Sequence, residues 1–264
     1  MLLAIDVGNT NVVLGLFAGG ALERHWRLAT LPDRTADELW VLVSRLFAEH
    51  AVDPARIEGV VVASVVPAAT QAVADMVARG VGQPVLLVDA RNAGLPIGYE
   101  NPAEVGADRL VNAVAALRLY GGATRPIVVV DFGTATTFDV ISAAGEYLGG
   151  VICPGVDISA DALFHRAARL PRVDVRKPTA VIGRSTAASM QSGLFYGYVA
   201  MVEGVLRRLQ DELGGDGRSL CIATGGLAGA IAAETPVIDE VNPHLTLTGL
   251  RFVWEANRTP SPGR

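Results

Sequence analysis

Two segments of the chain end an apolar run in an aspartate and continue with glycine and hydroxyl or amide residues. The first segment is AIDVGNTN, with Asp6, and the second is VVDFGTATT, with Asp131. Glycine carries no Cβ, so the backbone of such a turn can approach an anion closely. A carboxylate at the mouth of the turn can hold a phosphate-bound Mg²⁺. The repeated pattern predicts nucleotide phosphate chemistry, although the first segment alone is equally typical of an ordinary hairpin.

A third segment, Gly106-Ala107-Asp108-Arg109, opens a predicted helix shortly after Tyr99. A positioned carboxylate can take the proton of a hydroxyl that accepts a phosphoryl group, so Asp108 is a candidate general base. Arg109 can bind a carboxylate or phosphate through its forked guanidinium. We expect the positive helix end and Arg109 to keep Asp108 ionised at neutral pH. The alternative interpretation is structural, with Asp108 a helix-dipole residue and Arg109 its ion-pair partner.

Two further turns precede predicted helices. Gly183-Arg184-Ser185-Thr186 opens a long helix, where it is as typical of an N-cap as of a ligand contact. Thr224-Gly225-Gly226 follows a strand, and the start of the next helix favours phosphate or ribose contacts. Other nucleotide motifs are excluded: the only lysine, Lys177, is followed by proline, which rules out a Walker A loop, and G-x-G-x-x-G is absent.

These turns need strands and helices to position them, and the predicted elements form two similar series. Each aspartate segment belongs to a series of three consecutive predicted strands, and the first strand of the series ends in the aspartate. The second series is 127–131, 136–142 and 147–153. Helices alternate with further strands, which predicts an α/β protein with mixed sheets flanked by helices. We divide the chain into 1–118 and 119–264, two halves that face one nucleotide. The last residues, 256–264, are predicted to be frayed.

The composition of the chain limits which binding partners and which cellular compartment we expect. The net charge is −5 and no basic run occurs, which argues against nucleic-acid binding. No apolar stretch is long enough to span a membrane, and the N-terminus does not resemble a signal peptide. Cys153 and Cys221 are isolated, as free thiols of a reducing compartment are, so we expect a cytoplasmic protein. Glycines 193, 197 and 204 inside the long predicted helix 185–213 indicate close packing on another helix or a ligand.

Taken together, six motifs resemble type III pantothenate kinase, a family of the actin-like ATPase group, within the acetate-and-sugar-kinase superfamily. The resemblance covers essentially the whole chain in order, and GADR together with DFGTATT is its most specific part. The motifs are DVGNTN at 6–11, YENPAEVGADR at 99–109, DFGTATTFDVI at 131–141, LGGVICPG at 148–155, IGRST at 182–186 and TGGLA at 224–228.

The resemblance implies two duplicated actin-like, ribonuclease-H-like domains with ATP between them. It implies ATP-dependent phosphorylation of pantothenate, the first step towards coenzyme A, with Asp108 as the proton acceptor. It also implies a homodimer and a monovalent cation, K⁺ or NH₄⁺, bound by Asp131. The residues implied to contact ATP are Asp6, Val7, Gly8, Asn9, Thr10, Asn11, Val12, Val13 and Thr134, with Asp6 also holding Mg²⁺. Those implied to hold pantothenate are Tyr99, Gly106, Ala107, Asp108, Arg109 and Thr186.

Two other functions remain as alternatives at this point. A non-catalytic regulator on the same scaffold would bind nucleotide without turnover, and the intact Asp6, Asp108 and Asp131 argue against it. An actin-like phosphatase acting on polyphosphate would need a basic funnel for its substrate, and the acidic balance of the chain disfavours this.

Overall fold

A computed structural model of the chain describes residues 1–121, 125–167, 170–214 and 218–258. Its strands and helices alternate along both halves of the chain. The strands are β1 (Leu2–Val7), β2 (Asn11–Ala18), β3 (Ala21–Ala29), β4 (Gly59–Ser64), β5 (Val85–Leu87), β6 (Ile127–Phe132), β7 (Ala135–Ile141), β8 (Tyr147–Pro154), β9 (Leu220–Gly225) and β10 (Glu240–Val241). The α-helices are α1 (Ala36–Glu49), α2 (Pro67–Gly80), α3 (Ala107–Tyr120), α4 (Val156–Arg166), α5 (Thr186–Leu213), α6 (Ala228–Ala232) and α7 (Leu245–Asn257).

The chain forms two compact units, and their boundary differs from the predicted division at 118/119. One unit comprises Met1–Leu119 and the segment that begins at His244, and the other comprises Tyr120–Pro243. The prediction had assigned α7 to the C-terminal half. In the structure α7 packs against β1 and β4 of the first unit, because its apolar face, including Leu250, joins the core there.

The first unit is built on a mixed sheet in the order β3-β2-β1-β4-β5. β1 pairs antiparallel with β2 and parallel with β4. Helices α1 and α2 contribute Val43 and Val73 to the core on one face, and α3 and α7 contribute Val111 and Leu250 to the core on the other. Both faces are covered, which is why β1 and β4 are continuous apolar runs without polar alternation.

The second unit repeats this topology with a sheet in the order β8-β7-β6-β9-β10. β6 pairs antiparallel with β7 and parallel with β9, as β1 does with its two neighbours. Helices α5 and α6 pack against one face of this sheet, where Val130, Phe138 and Phe195 belong to one apolar core. The same strand order and pairing in both units confirm the predicted α/β fold with two duplicated mixed sheets.

Most predicted elements occur within a few residues of their predicted bounds, and the exceptions are short or terminal. α6 has only five residues, and the two-residue β10 was not predicted. Of the predicted frayed tail, residues 259–264 lie outside the described residues. Within the described ranges, no helix combines the length and the apolar character that crossing a bilayer requires.

The glycines of α5 have little around them within the described part of this chain, so their predicted packing on another helix or a ligand stays a prediction. Among the described residues outside its own helix backbone, a methyl group built on Gly193 or Gly197 would meet no atom within 4 Å, and on Gly204 it would meet only the guanidinium of Arg208. Gly249 of α7 is the opposite case, since its Cβ would lie 2.0 Å from the carbonyl oxygen of Val111 in α3. The close helix approach inside the first unit therefore depends on Gly249.

We expect Gly249→Ala to lower the free energy of unfolding by about 1–3 kcal/mol, because α7 must move away from the α3 backbone. The matched control is Gly229→Ala, a helical position whose Cβ meets nothing within 4 Å. That control should be neutral or stabilising by up to about 1 kcal/mol, since alanine is the better helix former. Chemical denaturation of both variants measures the difference, and equal stabilities would contradict the close approach.

Candidate active site

The first aspartate turn is a tight hairpin held by two kinds of hydrogen bond. The Gly8 N–H donates to the Asn11 carbonyl at 3.0 Å and closes the turn between β1 and β2. The Thr30 hydroxyl donates to the Gly8 carbonyl at 2.7 Å, and the Thr30 N–H donates to the Thr10 carbonyl at 2.9 Å. Thr30, at the end of β3, was not singled out from the sequence. It fixes the turn from outside, so the turn keeps one conformation beside Asp6.

Within this turn the predicted ligand residues differ in what they can offer. Asn9 and Thr10 are exposed, and Asp6 is half-buried at the end of β1. The side chains of Val7 and Val12 are buried in the core, so only their backbone groups remain for a ligand. Since the Gly8 N–H is already used within the hairpin, the polar side chains and the carboxylate carry most of the binding capacity.

Asp108 lies in the first turn of α3, where a missing side chain leaves room for its carboxylate. The Arg109 N–H donates to Oδ1 of Asp108 at 2.8 Å. A Cβ on Gly106 would lie 2.6 Å from the same oxygen and 3.4 Å from Cγ1 of Val65. The glycine in GADR is therefore required by the position of the Asp108 carboxylate.

The strand pairing brings this carboxylate to the edge of the sheet that carries the first turn. β1 and β4 are parallel, so their carboxyl ends reach the same edge, with Asp6 opposite Ala63. Val65 directly follows β4, and its N–H donates to the Val7 carbonyl at 3.1 Å. Because Gly106 and Asp108 pack beside Val65, the candidate base and the Asp6 turn lie at one edge of the first unit.

Desolvation is the largest influence on the pKa of Asp108. Burial raises the pKa of this carboxyl above its ordinary value of 3.8, and the Arg109 N–H and guanidinium offset the rise only in part. That Asp108 is ionised at neutral pH stays a prediction. A raised pKa increases the affinity of a carboxylate for a proton, as a general base requires.

The second aspartate turn has the same construction in the other unit. The Gly133 N–H donates to the Ala135 carbonyl at 3.1 Å and closes the turn between β6 and β7. Asp131 lies opposite Thr137 on β7 and opposite Thr224 on β9. These neighbours place two hydroxyl side chains next to the carboxylate in the strand register.

Two glycines pack closely around this turn. Gly225 adopts a positive φ of 91°, and a Cβ there would lie 2.7 Å from Oδ1 of Asp131. A Cβ on Gly155 would lie 2.1 Å from the Thr134 carbonyl oxygen. Both glycines are therefore needed for the shape of the turn, and the TGG segment contributes through Gly225 rather than through its five-residue helix.

The remaining predicted residues are distributed over both units. Tyr99 is half-buried in the first unit, and Arg109 is buried with only 8% exposure. In the second unit Ser185 is the N-cap of α5, where its hydroxyl accepts from the Ala188 N–H, and the exposed Thr186 is the first helical residue. The first unit therefore contains Tyr99, the GADR residues and the Asp6 turn, while Asp131, Thr134 and Thr186 belong to the second.

The oxygen ligands suit hard cations. Mg²⁺ is usually held by one or two carboxylates together with substrate phosphates and water, which fits the single carboxylate of Asp6 beside an exposed polar turn. Asp131, with the hydroxyl residues Thr137 and Thr224 beside it, offers the carboxylate and neutral oxygens that larger cations accept. Among the described residues no cluster of three or more His, Cys, Asp or Glu side chains is placed to hold a metal ion.

Comparison with known proteins identifies relatives over nearly the full chain. The family model described as type III pantothenate kinase matches residues 2–208. The type III pantothenate kinase of Moorella thermoacetica (strain ATCC 39073 / JCM 9320) is 54% identical over 258 residues, which cover 97% of this chain and 100% of the relative.

Solved structures with the same fold are more distant in sequence. The activator of 2-hydroxyisocaproyl-CoA dehydratase from Clostridium difficile with bound ADPNP is 12% identical, with a TM-score of 0.51 and coverage of 97% of this chain and 95% of that chain. The inorganic polyphosphate/ATP-glucomannokinase from Arthrobacter sp. strain KM is 15% identical, with a TM-score of 0.50 and 97% coverage of both chains. These likenesses concern the fold alone and agree with duplicated actin-like domains.

We expect Asp108→Asn to stabilise the protein at neutral pH. Burial raises the pKa of Asp108 in the folded state above the unfolded value of about 3.9. At pH values between these two pKa values the folded state binds more protons than the unfolded state. The stability of the wild type therefore falls as pH rises through this window. Asparagine does not titrate. The stability gain of the variant should therefore grow with pH through that window and level off above the folded-state pKa.

Denaturant unfolding of wild type and variant from about pH 3.5 to 8 measures this gain, because the gain begins at the unfolded-state pKa of about 3.9. The matched control is Asp33→Asn, an exposed aspartate before α1, which should change stability by no more than about 0.5 kcal/mol. A loss of stability in Asp108→Asn at neutral pH would instead support the structural interpretation of an Asp108–Arg109 pair.

Proposed function

The chain belongs to the type III pantothenate kinase family, and we propose that it transfers a phosphoryl group from ATP to the terminal hydroxyl of pantothenate, the first step towards coenzyme A. One structural observation carries the proposal within this fold. A half-buried carboxylate with a raised pKa, Asp108, lies at the same sheet edge as the Asp6 turn. A proton acceptor and a phosphate-binding turn are the two parts that phosphoryl transfer to an alcohol requires.

Asp108 acts as the general base. Its Oδ1 is held by the Arg109 N–H, which leaves Oδ2 as the oxygen that accepts the proton of the pantothenate hydroxyl. The raised pKa favours this proton transfer. The missing Cβ of Gly106 keeps the carboxylate in this orientation.

The Asp6 turn binds the ATP phosphates and their Mg²⁺. Asp6 would hold Mg²⁺, which when bound would neutralise phosphate charge, while the exposed Asn9 and Thr10 would contact the phosphate oxygens. The Val7 and Val12 side chains belong to the core, so these residues support the turn and contribute backbone groups only. The family resemblance also assigns an ATP contact to Thr134, which lies in the turn that Gly155 packs against.

Pantothenate is an anion, and the buried Arg109 is the residue suited to its carboxylate. A guanidinium held at 8% exposure has lost much of its hydration, which strengthens a forked hydrogen-bonded pair with a carboxylate. Tyr99 and the backbone of Gly106 and Ala107 complete the pantothenate contacts of this unit. The family resemblance also assigns a pantothenate contact to the exposed Thr186. A non-catalytic regulator is not favoured, because nothing in such a protein requires a base with a raised pKa.

Asp131 binds the monovalent cation, K⁺ or NH₄⁺. Support comes from its oxygen-rich surroundings, with Thr137 on one neighbouring strand and Thr224 on the other. Gly225, with its positive φ and no Cβ, packs closely beside Oδ1, where a larger residue would clash. A carboxylate with neutral oxygens suits a cation of single charge.

The chain acts as a homodimer in the cytoplasm. Support for the dimer comes from α5, where Gly193 and Gly197 are exposed and a Cβ on either would meet no atom of the described residues outside its own helix within 4 Å. Such a stripe allows a second helix to approach. The free Cys153 and buried Cys221 suit a reducing compartment.

We expect Asp108→Asn to lower turnover by about 10²–10⁴-fold, because the general base is lost while the shape is kept. The measurement is pantothenate-dependent ADP release, together with ATP titration and thermal unfolding of the same sample. ATP binding and the fold should persist, and the control Asp33→Asn should remain close to wild type. Turnover within a few-fold of wild type would reduce Asp108 to a helix-start residue.

Light scattering at micromolar protein concentration should give twice the 27.6 kDa of one chain. Gly197→Arg should shift the mass towards the monomer, because the long side chain prevents the approach of a second α5 helix. The control Gly229→Arg also places arginine where no atom lies within 4 Å, but away from α5, and should remain dimeric. A monomeric wild type, or two dimeric variants, would contradict an interface through α5.

A further inference from the structure

Asp139 is a buried carboxylate next to the Asp131 turn that the proposed mechanism does not yet use. It lies in the middle of β7 with 0% exposure. Its Oδ1 accepts from the Tyr147 hydroxyl at 2.8 Å, and its Oδ2 accepts from the Thr137 hydroxyl at 3.1 Å. Burying a charged group is costly unless hydrogen bonds compensate it, so a carboxylate kept at this position needs a reason.

The strand register relates Asp139 to Asp131 through Thr137. Thr137 lies directly opposite Asp131, so their side chains share one face of the sheet with Cβ atoms about 4.5–5.5 Å apart. Asp139 is two residues further along β7 and therefore points to the same face. The order along this face is carboxylate, hydroxyl, carboxylate.

The hydrogen-bond direction determines what Thr137 presents to Asp131. A threonine hydroxyl has one proton and two acceptor lone pairs. Because the proton is directed at Oδ2 of Asp139, the lone pairs of Thr137 Oγ1 are left for a positive group on its other side. Without Asp139, the hydroxyl could rotate and donate its proton to the Asp131 carboxylate, which would compete with a cation there.

We propose that Asp139 is a positioning residue for the monovalent cation, acting through Thr137, whose oxygen is a neutral ligand beside Asp131. This inference rests on the proposed function, in which Asp131 binds K⁺ or NH₄⁺. The oxygens fit such an ion, since carboxylate and hydroxyl oxygens are hard ligands and Gly225 leaves the space beside Oδ1 of Asp131 unfilled by a Cβ. The Tyr147 hydroxyl donates to the other carboxylate oxygen of Asp139.

The test compares variants that break the two hydrogen bonds to Asp139 separately. Thr137→Val removes the ligand oxygen at similar volume, Thr137→Ser retains it, and Asp139→Asn removes the charge that orients it. Tyr147→Phe is the matched control, because it removes the other hydrogen bond to Asp139 and leaves Thr137 in place. All variants are made in the full-length chain.

Two measurements are made on each variant. The first is the K⁺ concentration for half-maximal pantothenate-dependent ADP release at saturating ATP and pantothenate. The second, which needs no turnover, is the rise in Tm when KCl replaces choline chloride at constant ionic strength, since a bound ion stabilises the folded state.

We expect Thr137→Val and Asp139→Asn to raise the half-activating K⁺ concentration about 10–100-fold, as loss of a group that orients a metal ligand does. Both should also reduce the K⁺-dependent rise in Tm, while Thr137→Ser and Tyr147→Phe retain most of the wild-type response. If Asp139→Asn fails to fold, the comparison of Thr137→Val with Thr137→Ser still tests the ligand oxygen on which the inference depends.

Three results would overturn the inference. A wild-type K⁺ response in Thr137→Val would show that its oxygen is no ligand. An equal loss in Tyr147→Phe and Asp139→Asn would reduce Asp139 to a structural residue. An active wild-type enzyme without any K⁺ response would contradict the cation site but not the kinase activity. A wild type without pantothenate-dependent ADP release would instead refute the proposed function itself.

Discussion

The parallel pairing of each central strand with one neighbour is the constraint on which the polar residues depend. β1 pairs with β4 and β6 with β9, and parallel strands bring their carboxyl ends to the same edge of a sheet. Asp6 and Asp131 each lie one residue before the end of a central strand, β1 or β6. Both strands are buried and hydrogen-bonded on both sides, so the strand pairing fixes the position of each carboxylate. Loops at these edges can then carry chemistry without holding the fold together.

Close packing at glycine is the second constraint, and it has an energetic consequence. Gly106 makes room for the Asp108 carboxylate, and the same close surroundings desolvate it and raise its pKa. A group that is easier to protonate in the folded state costs stability at neutral pH. The site therefore keeps a carboxylate that stability alone would not select, which is the common compromise between stability and activity.

Local signals in the sequence were sufficient for most elements of the fold. The Thr35–Glu38 capping box marks the start of α1, and both of its hydrogen bonds are present. The bounds of α3 follow from its apolar periodicity and the loop before it. The two-residue β10 and the placement of α7 lack such signals, because pairing with β9 and packing on β1 are contacts between residues distant in the chain. Similarly, the glycines of α5 indicate a helix face without bulky side chains, but they do not indicate which element packs against that face.

The chemistry of the site divides in the same way. The candidate groups can be recognised from the amino-acid sequence, since two aspartates ending apolar runs and the GADR segment are visible as residue types at fixed spacing. Their surroundings could not be predicted in this way, because they depend on tertiary packing. The direction of the Asp108 pKa shift depends on burial by elements far along the chain, and Thr30 reaches the first turn across 22 residues. The network of Asp139 with Thr137 and Tyr147 likewise depends on strand register. Residue type supplies a charge or a hydroxyl, but desolvation and hydrogen-bond direction arise only from three-dimensional packing.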